Sequence, residues 1–587
     1  MRGTTRIMLF VIVAAGCGAA GCGVGAGGAG AVDAGGADRR LDGGPADDAA
    51  ADVGDGAAAT DAREDGPSPG LDGAAGDGGG DAAATGDAAA GDGAVTDAAA
   101  TDAAAGDAAA TDAAAGDAAA TDAAAGDAAA ATDAAAGDAG AAPGCGFGPG
   151  ASWPLPSEFA DQFGLTADQA SCSSAPDVLH VLTDLDGDGR PDLVVTSGCA
   201  VDASIGTTRW RVFHNTGSGF AAGVDWALPA EFSGQFGLTA DQASCSSAPD
   251  VLHVLTDLDG DGRPDLVVTG GCAVDATIGT TRWRVFHNTG SGFAAAGTDW
   301  ALPAEHSGQF GRVADQASCS SAPDVLHALS DLDGDGRPDL VVTSGCAVDA
   351  TIGTTHWRVF HNTGSGFAAT GADWALPGEH SGQFGLTADQ ASCSSAPDVL
   401  HVLTDLDGDG APDLVVTSGC AVDATIGTTR WRVFHNTGSG FAAAGVDWAL
   451  PAEHVGQFGL IADQASCSSA PDVLHLLTDL DGDGAPDLVV TSGCAVDATI
   501  GTARWRVFHN TGSGFGAAGT DWALPAAFSG QFALAADQAS CSSAPDVLHV
   551  LTGLTGPGPG ALVVTDGCAT APAIGSSEWR VFPGACH

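Results

Sequence analysis

The hydrophobic and polar positions of residues 144–587 follow one pattern that is repeated along the chain. In its first copy, apolar runs rich in Val, Leu, Phe and Trp predict strands at Val178–Thr183, Leu193–Ser197, Trp210–His214 and Phe220–Leu228. Clusters of Gly, Pro, Asn and Asp bound these runs, and the N-T-G-S-G after the third run is typical of a hairpin turn. Nothing in the pattern has the length and the 3.6-residue period of a substantial helix.

The same unit occurs six times, which makes the repeat the most informative feature of the sequence. The element W-R-V-F recurs from Trp210 to Trp579, and the element W-x-L-P recurs from Trp153 to Trp522. Four strands per repeat without helices predict an all-β fold, a six-bladed β-propeller with four-stranded blades. The first W-x-L-P precedes every other strand and the last W-R-V-F has none after it. We therefore expect the N-terminal strand to complete the sixth blade and close the ring.

The preceding part of the chain has a different composition. Residues 23–143 consist of Ala, Gly and Asp with little else, and they predict a disordered low-complexity linker, because such a segment cannot bury enough apolar area to offset its chain entropy. Residues 1–22 predict a signal segment, since two Arg residues precede a short apolar run and small residues follow. The domain organisation is thus a signal and anchor (1–22), a linker (23–143) and a propeller (144–587).

The A-A-G-C of the signal resembles the lipobox of bacterial lipoproteins. The resemblance implies lipidation of Cys17, with Cys22, which also follows A-A-G, as the second candidate. An ordinary cleaved signal is the alternative. We expect an exported protein, located at the bacterial outer membrane or cell surface as a lipoprotein, or secreted, that touches a membrane only through its lipid anchor.

Charge narrows the range of partners. The formal net charge of −55 argues against nucleic acid, because phosphate binding needs clustered basic side chains. It is compatible with cation binding. In five of the six repeats the first two strands are joined by D-L-D-G-D-G-x-P-D, which places carboxylates at positions 1, 3, 5 and 9 and Gly at position 6.

Oxygen ligands at alternating positions with a Gly for the sharp turn are what Ca²⁺ requires, so we expect about five structural Ca²⁺ sites. The alternative is a set of acidic turns without a metal. The sixth copy of the loop has no carboxylate. The candidate metal ligands are Asp184, Asp186, Asp188, Asp192, Asp257, Asp259, Asp261, Asp265, Asp331, Asp333, Asp335, Asp339, Asp405, Asp407, Asp409, Asp413, Asp479, Asp481, Asp483 and Asp487.

With the D-x-D-G-D-G-x-x-D-L-V-V loop and the W-R-V-F-H-N-T-G-S-G-F hairpin together, the chain resembles FG-GAP/VCBS-type repeats. These are the calcium-binding blades of integrin α-chain propellers and of many bacterial surface proteins. The resemblance covers residues from about 150 to 583. It implies Ca²⁺ loops on one propeller face, with the opposite face receiving the ligand as in integrins. Since this family includes adhesins, lectins and accessory domains of enzymes, it does not by itself define a function.

The cysteines follow the repeat. The second Cys of each unit follows the first by 27 residues, and an antiparallel hairpin brings the start of its first strand beside the end of its second. In an oxidising compartment these pairs predict disulfides, whereas free thiols and a zinc site are the alternatives. Two further cysteines flank the repeats, and a bridge between them would lock the closure of the ring. The candidate disulfides are Cys145–Cys586, Cys172–Cys199, Cys245–Cys272, Cys319–Cys346, Cys393–Cys420, Cys467–Cys494 and Cys541–Cys568.

The histidines argue against catalysis. One series occupies a first-strand position in all six units (His180 to His549), and another follows W-R-V-F in five (His214 to His509). We interpret both series as strand residues packed between blades, and Trp210 and its equivalents as packing wedges rather than ligand platforms. Near-identical copies do not form one asymmetric catalytic centre, and no hydrolase or phosphate-loop motif is present. We therefore expect a non-enzyme, with a glycan lyase or hydrolase as the remote alternative.

Two functions fit these features. The first is extracellular binding or adhesion by a monomeric propeller, with a glycan or a cell-surface protein as ligand, and the second is a purely structural envelope protein. The long polar connection before each first strand predicts the ligand face, which would lie opposite the acidic loops. The candidate ligand residues are Asp168, Gln169, Ser173, Ser174 and Asp202, with their equivalents.

Overall fold

The structure is a computed structural model. It describes residues 145–163, 172, 178–237, 245, 251–310, 319, 325–385, 393, 399–458, 467, 473–532, 541, 547–556 and 558–586. The predicted signal with Cys17 and Cys22, the predicted linker, and Asp168, Gln169, Ser173 and Ser174 lie outside these residues, so those predictions are not addressed by the structure.

The described residues form an all-β fold of 25 strands and six short 3-10 turns. The chain begins with β1 (Cys145–Phe147) and β2 (Ala151–Pro154). The first repeat contributes β3 (Leu179–Thr183), β4 (Asp192–Ser197), β5 (Arg209–Phe213) and β6 (Val224–Ala227). The second contributes β7 (Leu252–Thr256), β8 (Asp265–Gly270), β9 (Arg282–Phe286) and β10 (Thr298–Ala301). The third contributes β11 (Leu326–Ser330), β12 (Asp339–Ser344), β13 (His356–Phe360) and β14 (Ala372–Ala375).

The later repeats have the same order. The fourth contributes β15 (Leu400–Thr404), β16 (Asp413–Ser418), β17 (Arg430–Phe434) and β18 (Val446–Ala449). The fifth contributes β19 (Leu474–Thr478), β20 (Asp487–Ser492), β21 (Arg504–Phe508) and β22 (Thr520–Ala523). The sixth contributes β23 (Leu548–Thr552), β24 (Ala561–Asp566) and β25 (Glu578–Cys586). The 3-10 turns follow each W-x-L-P element, at Ser157–Phe159, Ala230–Phe232, Ala304–His306, Gly378–His380, Ala452–His454 and Ala526–Phe528.

The predicted fourth strand was too long. Phe220 forms only an isolated bridge with Asn215, and the strand proper is Val224–Ala227. The tight turn that closes the hairpin, with the Thr216 amide donating to the Gly219 carbonyl at 2.9 Å, separates Phe220 from the part of the chain that pairs with β5. Asp192 begins β4 instead of preceding it, which buries its side chain.

The strands form a β-propeller whose first four repeats are each a four-stranded antiparallel sheet. The remaining strands form one nine-stranded sheet, in which β1 pairs in parallel with β22 and antiparallel with β25. The sequence did not predict this joining strand. It arises because β25 continues past Phe582 to Cys586 and so offers β1 a partner.

The predicted pairing of the N-terminal W-x-L-P strand with the last W-R-V-F strand is confirmed. In the register of β2 with β25, Trp153 lies opposite Trp579, as Trp210 lies opposite Trp226 within the first repeat. One buried cluster contains apolar side chains of both the first and the sixth repeat, and the Asn215 side-chain amide donates to the Leu554 carbonyl at 2.9 Å. The two ends of the repeat array are therefore in contact.

The core lies between successive repeats. Each cluster joins apolar side chains from one sheet to those of the next, for example Trp210 and Trp226 with Leu266 and Phe286. All twelve tryptophans are buried to at least 98%, which agrees with the interpretation of Trp210 and its equivalents as packing wedges. His180 is buried against Phe163 and against Trp579 of the sixth repeat, so the interpretation of this first histidine series is confirmed.

Disulfides staple every repeat. The intra-repeat pairs Cys172–Cys199, Cys245–Cys272, Cys319–Cys346, Cys393–Cys420, Cys467–Cys494 and Cys541–Cys568 are all present. Each joins the segment that leads into a first strand to the segment that follows a second strand, with Cα atoms 5.1–5.3 Å apart. Cys145 is also disulfide-bonded, and its backbone pairs with that of Cys586. The Cys586 side chain lies outside the described part, so this bridge stays a prediction.

Among the described residues, the structure has no helix that is both long enough and apolar enough to cross a membrane.

Candidate functional site

The acidic loops lie where the first strand of each repeat turns into the second. In the first repeat this segment connects β3 to β4, and the disulfide is at the other end of the same hairpin. Gly187 and Gly189 have φ angles of 78° and 82°, a conformation in which Gly is favoured over other residues. The loop therefore reverses sharply, and its backbone amides turn toward the first carboxylate, that of Asp184.

The carboxylate at position 1 organises the loop backbone. Asp184 Oδ1 accepts hydrogen bonds from the amides of Gly187 and Asp188 at 2.8 and 3.1 Å, and its Oδ2 accepts one from Gly189 at 2.7 Å. Asp186 Oδ1 accepts the Asp188 amide at 3.2 Å. Burial raises the pKa of Asp184 above its ordinary value despite these donors. The second to fifth repeats have the same arrangement, with position-1 residues Asp257, Asp331, Asp405 and Asp479.

The carboxylate at position 9 is the most buried. Asp192 accepts hydrogen bonds from the amides of Leu185, at 3.2 Å, and Asn215, at 2.8 Å, so it ties the acidic loop to the hairpin turn after β5. Burial raises its pKa to about 6, and raises the pKa values of Asp265 and Asp339 to about 7. A buried carboxylate of this kind favours a bound proton or a bound cation over the bare anion.

A histidine reaches each loop from the third strand, which the sequence interpretation missed. The His214 Nδ1 atom lies 3.2 Å from Asp186 Oδ2 and 3.2 Å from Asp192 Oδ2. His287, His361, His435 and His509 make the same pair of contacts in their repeats. The interpretation of this second series as residues packed between blades was therefore wrong, because the register of β4 with β5 aims the ring at the loop rather than into the core.

Position 7 differs among the copies. In the first three repeats it is an arginine, and Arg190, Arg263 and Arg337 form ion pairs with the position-5 carboxylate of their own loop. In the fourth and fifth repeats it is Ala411 and Ala485. The position-5 carboxylates Asp409 and Asp483 therefore have no arginine neighbour within their own loops.

This donor set fits a divalent cation. Four carboxylates lie on one loop, and two of them, at positions 3 and 9, place oxygens close together. The oxygens of Asp186 and Asp192 and a His214 nitrogen all lie within 4.8 Å of one another. Position 12, which holds a bidentate Glu in an EF-hand, is Val195 here, within β4. The described residues of the sixth loop contain no carboxylate, so this fit extends to five repeats.

The opposite end of the hairpins carries the predicted ligand face. Of the candidate ligand residues, the structure describes Asp202, whose Oδ1 accepts hydrogen bonds from the Ser204 amide and hydroxyl at 2.9 and 2.6 Å. Its Oδ2 pairs with Arg209 at 2.9 Å. The hydrogen bonds from Ser204 lower the pKa of Asp202, so the carboxylate is charged and holds the turn before β5.

A groove lies beside this position in the fourth repeat. It has a volume of about 350 Å³ and is formed where the 3-10 turn after β14 faces the loop between β16 and β17. Its lining residues are Glu379, His380, Val422, Asp423, Ile426, Arg430 and Arg432. The arginines are already paired: Arg432 contacts Glu379 at 3.0 Å, and Arg430 contacts Asp423 at 3.3 Å. A ligand in this groove would contact acidic and basic side chains that are already paired with each other, and the exposed side chain of Val422.

Comparisons with known proteins identify no family. No known protein family matches the chain, and no curated protein does either. Among solved structures, the chain is similar to the Photorhabdus luminescens Tc holotoxin pore, with 17% identity and a TM-score of 0.41, covering 76% of this chain. It is also similar to the crystal structure of TcdB2-TccC3, with 18% identity and a TM-score of 0.32 over 74% of this chain. A fungal alcohol oxidase in complex with copper matches with 9% identity and a TM-score of 0.31, covering 75% of this chain and 76% of that one. The chain spans only 15% of the length of each of the first two.

Proposed function

We propose that this protein is an exported, lipid-anchored surface protein of the FG-GAP/VCBS type, which presents a six-bladed, Ca²⁺-stabilised propeller for extracellular binding. The observation that carries the proposal is the loop geometry, in which position-1, -3, -5 and -9 carboxylates gather in one turn in each of five repeats. The ligand would be a glycan or a cell-surface protein, and the propeller would act as a binding module rather than as an enzyme.

Ca²⁺ has a structural role in this proposal. Asp184, Asp186, Asp188 and Asp192, with their counterparts, would hold the ion and would lose much of their mutual repulsion on binding it. Since an ion that binds only the folded state stabilises it by mass action, each filled loop would strengthen the hairpin that carries it. Without a position-12 Glu, the affinity is expected in the extracellular range, with Kd values of about 10⁻⁴–10⁻³ M.

Ring closure supports the six-bladed arrangement. The strand β2 pairs with β25, the first and sixth repeats share a buried cluster, and Asn215 bonds across the same junction. Six stapled repeats would then present copies of one surface, and several weak contacts would combine into firm binding if the ligand is itself repetitive. The six disulfides agree with export, because such bonds persist in oxidising compartments.

Thermal unfolding of the full chain tests the role of Ca²⁺. The Tm is expected to rise when millimolar CaCl₂ is added to EGTA-treated protein. A variant with Asp184→Asn, Asp257→Asn, Asp331→Asn, Asp405→Asn and Asp479→Asn should lose most of this rise. The same Tm in EGTA and in CaCl₂ would contradict the proposal.

Binding is tested with fluorescently labelled full chain on glycan arrays and on cells. The Asp202 position is the described part of the predicted ligand face, so the test variant carries Ala at Asp202, Asp275, Asp349, Asp423 and Asp497. The control carries Ala at Asp225, Asp299, Asp373, Asp447 and Asp521 on the neighbouring strand. In four repeats this aspartate pairs with the same arginine as the first set, and in the third repeat Asp373 lies 3.4 Å from His356, which replaces that arginine. Loss of binding in the first variant alone supports a ligand face at the disulfide end. Absence of any binding by the wild-type chain would favour the structural envelope protein.

A further inference from the structure

We propose that the five acidic loops are sites for divalent transition-metal ions, with Zn²⁺ as the best match, in which a histidine nitrogen joins two carboxylates as ligands. In the first repeat the ligands are Asp186, Asp192 and His214. The inference goes beyond the proposed function: it uses the position-3 and position-9 carboxylates of the same loops but assigns the ion to a different chemical class, so the two ions would compete for each loop.

The three donor groups already converge on one point in every copy. The Nδ1 atom of the histidine lies 3.0–3.2 Å from the position-3 carboxylate and 3.2–3.5 Å from the position-9 carboxylate. The position-9 side chain is at most 1% exposed in all five repeats, and the histidine is between 27% and 35% exposed. An ion at this point would be held on a buried carboxylate and reached from solvent past the imidazole. The triads are Asp186/Asp192/His214, Asp259/Asp265/His287, Asp333/Asp339/His361, Asp407/Asp413/His435 and Asp481/Asp487/His509.

The histidine nitrogen favours a transition-metal ion over Ca²⁺ at this position. Ca²⁺ and Mg²⁺ take oxygen ligands, whereas imidazole with carboxylates suits Zn²⁺ and neighbouring first-row metals. In the fourth repeat, His435 Nδ1 is buried and makes no hydrogen bond to the described residues, although Asp407 Oδ2 is 3.0 Å away. In the first three repeats the same nitrogen lies within hydrogen-bond distance of the position-9 carboxylate, at 3.2–3.3 Å. The imidazole is therefore held beside both carboxylates in all five copies, whether or not it bonds to one of them.

The sixth repeat shows that the strand itself does not need this histidine. Its counterpart is Pro583, which still pairs with Ala561 in the ladder of β24 and β25, and the neighbouring loop has no carboxylates. The other histidine series behaves differently, because His549 of the same repeat is retained and is fully buried in the core. The histidine after W-R-V-F is thus present where the acidic loop is present and absent where it is absent, as expected of a ligand to the same ion.

Cobalt titration of the full chain tests the proposal, since Co²⁺ replaces Zn²⁺ and its visible absorption changes with the number and type of its ligands. Chelator-treated wild-type protein is expected to take up about five Co²⁺ per chain, and Zn²⁺ should displace them. The single variant His214→Gln should take up about four. The variant with Gln at His214, His287, His361, His435 and His509 should lose Co²⁺ uptake at all five sites over the same concentration range, because each site loses its nitrogen ligand. The control His356→Arg, which restores the residue found at that position in neighbouring repeats, should keep five.

The outcomes separate this inference from the proposed Ca²⁺ role. If the Gln variants bind Co²⁺ as the wild type does, or if the wild type binds none, the inference is overturned, whatever Ca²⁺ does to the Tm. If Co²⁺ uptake depends on the histidines while CaCl₂ leaves the Tm unchanged, the inference stands and the Ca²⁺ proposal fails. The single variants keep the test decisive even if the fivefold variant does not fold, because each should remove one ion.

Discussion

Arg284 links two repeats: its Nε lies 3.0 Å from Oε1 of Glu231, which belongs to the preceding repeat. The same guanidinium pairs with Asp299 on the neighbouring strand at 2.6 Å. Equivalent links join Arg211 to Glu158, Arg358 to Glu305, Arg432 to Glu379 and Arg506 to Glu453. Among the described residues, this Arg–Glu link is missing only between the fifth and the sixth repeat. There the glutamate is replaced by Ala527, and the Arg580 side chain lies 3.9 Å from Glu578 of its own strand.

Restoring the glutamate at this junction should stabilise the propeller slightly. Ala527→Glu places a carboxylate where Arg580 can reach it, and an exposed pair of this kind contributes roughly 0.2–1 kcal/mol. The measurement is urea unfolding of the wild type and the variant at low salt. Ala526→Glu is the control, since it adds the same charge one residue away from the position that faces the arginine in other repeats. An equal effect of both substitutions would show that the link contributes nothing specific.

Stability should fall in mild acid because of the buried histidines. Burial lowers the pKa values of His180, His253, His401 and His549 to about 4. An unfolded histidine binds a proton below about pH 6.5, whereas the folded ones stay neutral until about pH 4. The free energy of unfolding therefore decreases as the pH falls from 6.5 to 4, by an amount on the order of 3 kcal/mol for each ring.

The variant His549→Asn isolates one of these contributions. It should be less stable than the wild type at pH 7.5, and the difference should shrink by about 2 kcal/mol at pH 5, since Asn does not titrate. Leu548→Ala, a buried neighbour without a titrating group, should differ from the wild type by the same amount at both pH values. A difference for His549→Asn that is constant with pH would contradict the prediction.

Removing one intra-repeat disulfide should lower the free energy of unfolding by several kcal/mol. The Cys393–Cys420 bridge closes a loop with a sequence separation of 27 residues, for which the chain-entropy relation gives about 3–4 kcal/mol. Cys420 has a φ of 48°, a left-handed conformation that Gly adopts more readily than other residues. Cys393→Ser/Cys420→Gly should therefore be about 1 kcal/mol more stable than Cys393→Ser/Cys420→Ser. Equilibrium urea unfolding measures both, and equal stabilities would show that the backbone at residue 420 relaxes once the bridge is gone.

Because the first and sixth repeats are in contact, replacing Asn215 at their junction should lower the free energy of unfolding as much as replacing Asn288 between the first and second repeats. The Asn288 side chain donates to the Leu185 carbonyl of the preceding repeat at 2.8 Å, and Asn215 donates in the same way to Leu554 of the sixth. Replacing either by Ala leaves a buried carbonyl without its donor, at a cost of about 1–3 kcal/mol. If Asn288→Ala lowers the free energy of unfolding and Asn215→Ala does not, the first and sixth repeats are not joined in solution.

The strands, the disulfide pairs and the acidic loops could be predicted from the sequence, because each depends on residues close together in the chain and each pattern is repeated. The apolar runs around Trp210 are bounded by turn residues, so the strands and their hairpin order follow from short-range pattern. The Cys172–Cys199 pairing follows from the same hairpin, and Asp184 to Asp192 form a single continuous loop. Six copies of the strand and cysteine patterns, and five copies of the acidic loop, removed the ambiguity that a single copy would have left.

The tertiary structure decided what depends on register between distant segments. His214 lies 22 residues beyond Asp192 in the chain, and only the alignment of β4 with β5 places its ring at the acidic loop instead of in the core. The strand β1 pairs with both β22 and β25, because β25 runs past the end of the repeat pattern and leaves an edge to be covered. Both features arise where backbone pairing brings together residues that no local pattern connects.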